Sequence, residues 1–323
     1  MSCAYQGSAL SAMVLLLGAC AALVPREQDL TPVHPTAVLE TRVSSEGTQG
    51  VPTHEHTTLS YTRAAMQRTE SNVRGTGIFA RLLYGDADLR IERLDRNLAW
   101  LLDTKNKKAL ECALKDCPGL KPKRPRSRDA TSRAPACRLK IADSAVMAKP
   151  TGRTRRINGF DADQYDVTWQ VTLRDNASHK SLSTVRMEMW TTPAAPELRD
   201  AIALERAFFR SRSRLSGEPA GDDASALLPP EAGRMISERL ASSISPTDRA
   251  NLLASLSRPA LITGQAILTS LEWRMAGEAC TTDSGPKHSA KPLLVFSAEV
   301  KTYRVAPLHD SLFMPPKGYT IAK

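Results

Sequence analysis

The sequence predicts an α+β protein built on an antiparallel sheet. Three observations carry this. Residues 89–112 and 164–190 alternate apolar and polar, the period of half-buried strands. The period changes to helical spacing between Pro196 and Leu256. Alternation then resumes from Ile267 to Val300. Sheet, short helices, sheet is not the regular alternation of a parallel α/β fold.

The strands follow in order. Leu89-Arg90-Ile91-Glu92-Arg93-Leu94 alternates, Arg96-Asn97 turns, and Leu98 to Leu102 returns. Asp103 to Lys107 turns again before a third strand, Lys108 to Cys112. Spacing of this kind is a meander. In Gln164 to Leu173 every second residue is apolar, so Tyr165, Val167, Trp169, Val171 and Leu173 share one face. Asp175-Asn176-Ala177-Ser178 turns the chain into a partner strand, Ser183 to Trp190. Ile267, Thr269, Leu271, Trp273 and Met275 alternate, as do Leu294, Phe296, Ala298 and Val300.

Three helices fit the section 196–256. Leu198, Ala201, Ile202, Leu204, Phe208 and Phe209 fall within an arc of roughly 160° on a helix. Met235, Ile236 and Leu240 mark a second. Ser245-Pro246-Thr247-Asp248 starts a third, with serine as cap, proline in the first turn and Asp248 placed for a reciprocal contact.

The chain has 323 residues, 21 prolines, 5% aromatics and a formal charge of +10. It is long enough to bury a core without a structural metal. Its N-terminus is distinctive. The apolar run Ala9 to Ala19 is shorter than the about 20 residues that span a bilayer. It ends in Leu17-Gly18-Ala19-Cys20, which resembles a bacterial lipobox, and Met1 to Ser8 holds no Lys or Arg. The expectation is a signal peptide over 1–19 and a mature protein starting at an acylated Cys20. The alternatives are a secretory signal cut after Ala22, or a buried N-terminal helix. Residues 20–57 mix Pro, Thr, Glu, Gly and Ser without an apolar period and read as a flexible tether. The folded domain is expected over 58–323, with a Pro- and Arg-rich loop at 118–136. For an exported chain, the positive charge suits anionic lipid, lipopolysaccharide or another polyanion of the envelope, and no nucleic acid is expected. A basic surface with no such partner explains it equally well.

Past the lipobox, four cysteines remain. In an oxidising compartment they are expected as disulfides, Cys112 with Cys117 across a turn and Cys137 with Cys280 over a long range. A zinc site is the alternative, but Cys-x4-Cys with two distant partners is poor spacing.

Three stretches carry a resemblance to a family. The first is Ile91-Glu92-Arg93-Leu94-Asp95, then Trp100-Leu101-Leu102-Asp103 and Lys107-Lys108. The second is Thr151-Gly152, Ile157-Asn158-Gly159-Phe160 and Tyr165. The third is Val305-Ala306-Pro307-Leu308, Leu312-Phe313 and Pro316-Lys317-Gly318-Tyr319. In this order they resemble bacterial lipoproteins of uncharacterised role with a LolA/LolB-like fold. The resemblance implies a curved antiparallel half-barrel with helices over its concave face. It implies binding of a lipid or lipidated protein cargo, without catalysis or cofactor. The expected location is the outer membrane, anchored by lipid and facing the periplasm; a soluble periplasmic or secreted protein is the alternative. A structural or sensory envelope module that binds a protein partner is the competing function, and a hydrolase a distant third.

On that scaffold, Tyr165, Val167, Trp169 and Val171 are candidates to line a cavity, with Phe208 and Phe209 on its cover. Arg206, Arg210 and Arg212 are candidates for a basic rim. Each has a plain alternative: dry core for the apolar residues, a solvated face for the arginines. His54-Glu55-His56 lacks a third ligand and reads as a polar patch, so no metal is expected. Ser284-Gly285-Pro286-Lys287 matches Ser-x-x-Lys without the companion motifs of acyl enzymes. Arg74-Gly75-Thr76-Gly77 is too short to cradle phosphate, and no Gly-x-Ser-x-Gly or Walker loop occurs. Asn176-Ala177-Ser178 is a glycosylation sequon without consequence in a bacterial host.

Overall fold

The computed structural model describes residues 29–46, 53–75, 88–115, 117, 137–216, 227–240, 243–254, 259–280 and 291–322. The stretch expected to be a lipobox, with Cys20, and the Arg-rich stretch 118–136 lie outside them.

Twelve strands form one open, curved sheet. They are β1 (Val33–Glu46), β2 (His54–Arg63), β3 (Met66–Gly75), β4 (Asp88–Arg93), β5 (Leu98–Asp103) and β6 (Lys108–Ala113). Then come β7 (Lys140–Ile157), β8 (Phe160–Arg174), β9 (Lys180–Thr192), β10 (Gln265–Gly277), β11 (Leu294–His309) and β12 (Thr320–Ala322). The spatial order is β12-β6-β5-β4-β3-β2-β1-β11-β10-β9-β8-β7. Among the described strands, the β12–β6 pairing alone is parallel. Three helices, α1 (Pro196–Ser216), α2 (Pro230–Leu240) and α3 (Pro246–Ala254), are inserted between β9 and β10.

Two antiparallel meanders, β2–β6 and β7–β11, meet at β1. This strand pairs with β11 from Val33↔His309 to Glu46↔Val295 and with β2 from Ala37↔Thr62 to Ser45↔His54. The tether expected over 20–57 is therefore corrected: 33–46 is an interior strand and 54–57 begins the next. Its Pro, Thr, Glu and Ser content hides the strand because ladders on both sides supply much of its order. Inward packing adds Ala37 and Val43, both buried.

Elsewhere the local rules hold. The β7–β8 hairpin turns on Asn158 and Gly159, with φ of 49° and 90°. Asn-Gly is the preferred pair for such a turn, because both positions need positive φ. Ser245 caps α3: its Oγ accepts from the Asp248 amide at 3.0 Å and donates to the Asp248 carboxylate at 2.7 Å.

The main core lies on one face of β8–β11. Tyr165, Val167, Trp169, Val171 and Leu173 join Met187, Leu271, Trp273 and Phe296 there, beneath Ile236 and Leu240 of α2 and Leu252 of α3. The two indoles of this cluster find partners, Trp169 donating to Ser144 Oγ at 3.0 Å and Trp273 to Ser183 Oγ at 2.8 Å. A second cluster sets Leu198 and Ala201 of α1 on Ala37 of β1 and Tyr303 of β11. A third, with Ile91, Trp100 and Phe313, covers the opposite face of β4–β6.

Both disulfides form as paired from the sequence. Cys112–Cys117 closes the end of β6, with Cα atoms 5.0 Å apart. Cys137–Cys280 joins the approach to β7 to the end of β10 across 143 residues, with Cα atoms 5.5 Å apart.

Candidate ligand cavity

Helix α1 does not lie flush on the sheet along its whole length. Its N-terminal half packs through Leu198 and Ala201, and Phe208 further on is fully buried. Between α1, the sheet and residues 227–231 a cavity of about 420 Å3 remains. Its apolar wall includes Leu39 and Val43 of β1, Met189, Ile267, Val300 and Phe209 of α1. A second wall is polar and uncharged, with Thr41, Thr58, Ser60, Gln67 and Thr69. These hydroxyl and amide groups follow from register, since Leu39↔Ser60 and Ser60↔Thr69 put β1, β2 and β3 side chains in one row.

Charged residues line it as well: Glu205 and Arg206 of α1, Glu231 of α2 and Glu299 of β11. The Tyr303 hydroxyl donates to the Glu205 carboxylate. Burial first, then the Glu205 charge, pushes the phenol above its ordinary range, so Tyr303 stays a neutral donor. Arg206 also lines the cavity and is exposed.

The candidates named from sequence separate here. Phe209 and Arg206 line the cavity. Tyr165, Val167, Trp169 and Val171 do not; they are packed core under α2 and α3. Phe208 sits edge-on to Phe209, with ring centroids 5.5 Å apart, and faces packed protein instead. Arg210 lines a neighbouring groove, and Arg212 pairs with the buried Glu92 of β4. Sequence reasoning missed Leu39 and Val43 because they fell in the assumed tether. It missed the row of Thr, Ser and Gln because single hydroxyls carry no motif.

The other motifs take structural roles or fall outside the described residues. In β2, His54 meets Ser45 Oγ at 2.9 Å, His56 meets Thr58 Oγ1 at 3.2 Å, and Glu55 pairs with Arg42. No group of three potential metal ligands occurs among the described residues. Ser284 to Lys287 lies outside them. The Asn176-Ala177-Ser178 turn is organised by Asp175, whose Oδ1 accepts the Ala177 and His179 amides at 2.9 Å.

No family model matches the chain, and neither does any curated protein. One solved structure, of PNGF-II, aligns over 89% of this chain at 10% identity and a TM-score of 0.25. This chain spans about 30% of that protein's length. Likeness at that level carries no argument about fold or chemistry.

Proposed function

We propose that this chain is a non-catalytic binding protein whose sheet serves as a LolA/LolB-like half-barrel and holds a hydrophobic ligand beneath α1. The observation that carries the reading is the cavity of about 420 Å3 lined by Leu39, Val43, Phe209 and Val300. That volume falls within the about 300–1,000 Å3 of small-molecule sites, and a mostly apolar wall with a few polar groups is their usual composition. An acyl chain entering it gains about 25 cal/mol per Å2 of apolar surface removed from water. No cofactor is required.

Two disulfides suit an oxidising compartment outside the cytoplasm. No described helix is long and apolar enough to cross a membrane. With the lipobox, these features support an exported protein held at the outer membrane by acyl chains on Cys20. Cys20→Ala should then abolish palmitate labelling and membrane retention. Unchanged labelling removes the anchor from the proposal.

Fluorescent fatty-acid binding to gently delipidated protein is the test of the ligand. Saturable uptake, displaced by unlabelled palmitate, is expected. No uptake by folded protein overturns the carrier reading. An envelope module recognising a protein partner then becomes the better account, and one feature already favours it: α2 and α3 cover the Tyr165–Leu173 face.

A further inference from the structure

Beside the cavity, along the outer side of α1, runs a groove of about 570 Å3. One wall is helical: Arg199, Ala203, Arg206 and Arg210. At 100° per residue these four positions lie within roughly 60° of one another, a single stripe along the helix. Ala203 sits inside the stripe, so three long cationic side chains flank a short one. The opposite wall is low, made by Ala194, Gly264 and Gln265. Gly264 cannot be replaced cheaply. Its φ is +81°, and a Cβ there would lie 2.3 Å from the Thr192 carbonyl oxygen.

No Asp or Glu lines this groove among the described residues. The three arginines are exposed, and Arg210 Nε donates to the Arg206 carbonyl along the stripe. Three exposed cationic side chains on one stripe, with no carboxylate lining the groove, suit an anion. Guanidinium forks suit carboxylate and phosphate oxygens in particular. The groove also adjoins the cavity, since Ile202, Arg206 and Gln265 line both.

We infer that the Arg199–Arg206–Arg210 groove is the site for a carboxylate or phosphate group on an amphiphile whose apolar chain enters the adjoining cavity. The inference rests on the cavity reading and adds the ligand's class: an anionic single-headed lipid, in preference to a neutral one. Arg206, common to both spaces, meets the junction of head and chain. Arg199 and Arg210 contact the head alone.

The test uses a dansyl-labelled fatty acid and its uncharged methyl ester on the delipidated full-length chain, in wild type and in Arg199→Gln/Arg210→Gln. Both substitutions sit on an exposed face, so thermal unfolding should be unchanged. Wild type should bind the acid on the order of tenfold more tightly than the ester, the scale of one or two charge-assisted hydrogen bonds. The variant should lose that preference and keep the ester's affinity. A preference that survives in the variant overturns the groove while leaving the cavity standing. Failure of both probes to bind wild type overturns the cavity and the inference together. Inorganic phosphate is titrated in parallel. Arginine-dependent phosphate binding without either lipid probe identifies a site for free phosphate, and the amphiphile is then excluded.

Discussion

Arg212, near the end of α1, places its Nε 3.0 Å from the carboxylate of Glu92 in β4, and Glu92 is only 1% exposed. Arg90 pairs with the same carboxylate along its own strand. Burial, then the nearby Arg212 charge, pushes the Arg90 guanidinium down to about 10, which still leaves it charged at neutral pH. One buried anion thus serves two cations and ties the far end of α1 to the first meander. Removing one partner of a buried ion cluster leaves uncompensated charge. Glu92→Ala should therefore cost about 3–5 kcal/mol in urea unfolding. A loss below about 1 kcal/mol would mean that the cluster is solvated like a surface pair.

Adjacent phenylalanines on α1 should behave differently. Phe208 is fully buried, so truncation to alanine should cost about 3–5 kcal/mol. Phe209→Ala should lower stability less and change fatty-acid affinity more, because its ring lines the cavity. Thermal unfolding and ligand titration on the same two samples check this. Equal losses of stability with no change in binding would place Phe209 in the core as well.

The Cys137–Cys280 disulfide closes the longest covalent loop among the described residues. Cys137→Ser/Cys280→Ser should lower stability by about 2–5 kcal/mol. Non-reducing peptide mapping of wild type should recover the Cys137–Cys280 and Cys112–Cys117 pairs. Free thiols at all four positions would refute both.

Asp175 gives the fold an acid-sensitive corner beside that disulfide. Burial pushes its carboxyl upward, but hydrogen bonds from the Cys280 amide and from His179 outweigh it and hold the group below the usual range. A carboxylate lowered on folding contributes stability above its unfolded value of about 3.9, and that contribution is lost as pH falls through the folded value. Below about pH 4, wild type should lose stability more steeply than Asp175→Asn. Parallel curves for the two proteins would sink this assignment.

How much of this was legible depended on which residues face what. Tyr165 to Leu173 could be read as a strand because one side meets core and the other water, which writes a period of two into the sequence. Ser245 and Asp248 could be read as a cap because the interaction is local. β7 escaped because its burial is weak: most of Lys140–Ile157 is exposed, with β8 as its only paired neighbour in the sheet. β1 escaped because its partners are distant. The cavity itself could not be read. The helical arc of α1 contained both Phe208 and Phe209, but only packing decides which ring meets a wall and which meets a space. Tyr165, Val167, Trp169 and Val171 had the right face and the wrong cover, since the length of sheet under α2 and α3 is filled.

The seam between β1 and β11 also bears on how the chain acquires its shape. The His309 ring meets the Thr31 carbonyl across 278 residues of sequence. Loop closure on that scale must come before its ladder returns any stabilisation, and topologies dominated by such pairings fold slowly. Among the described strands β1 is the earliest in sequence, and β11 follows nine others. Until β11 arrives, one long edge of β1 is open to pairing with other chains. Any process that keeps the polypeptide extended until β11 is available therefore matches the order in which this sheet can be completed.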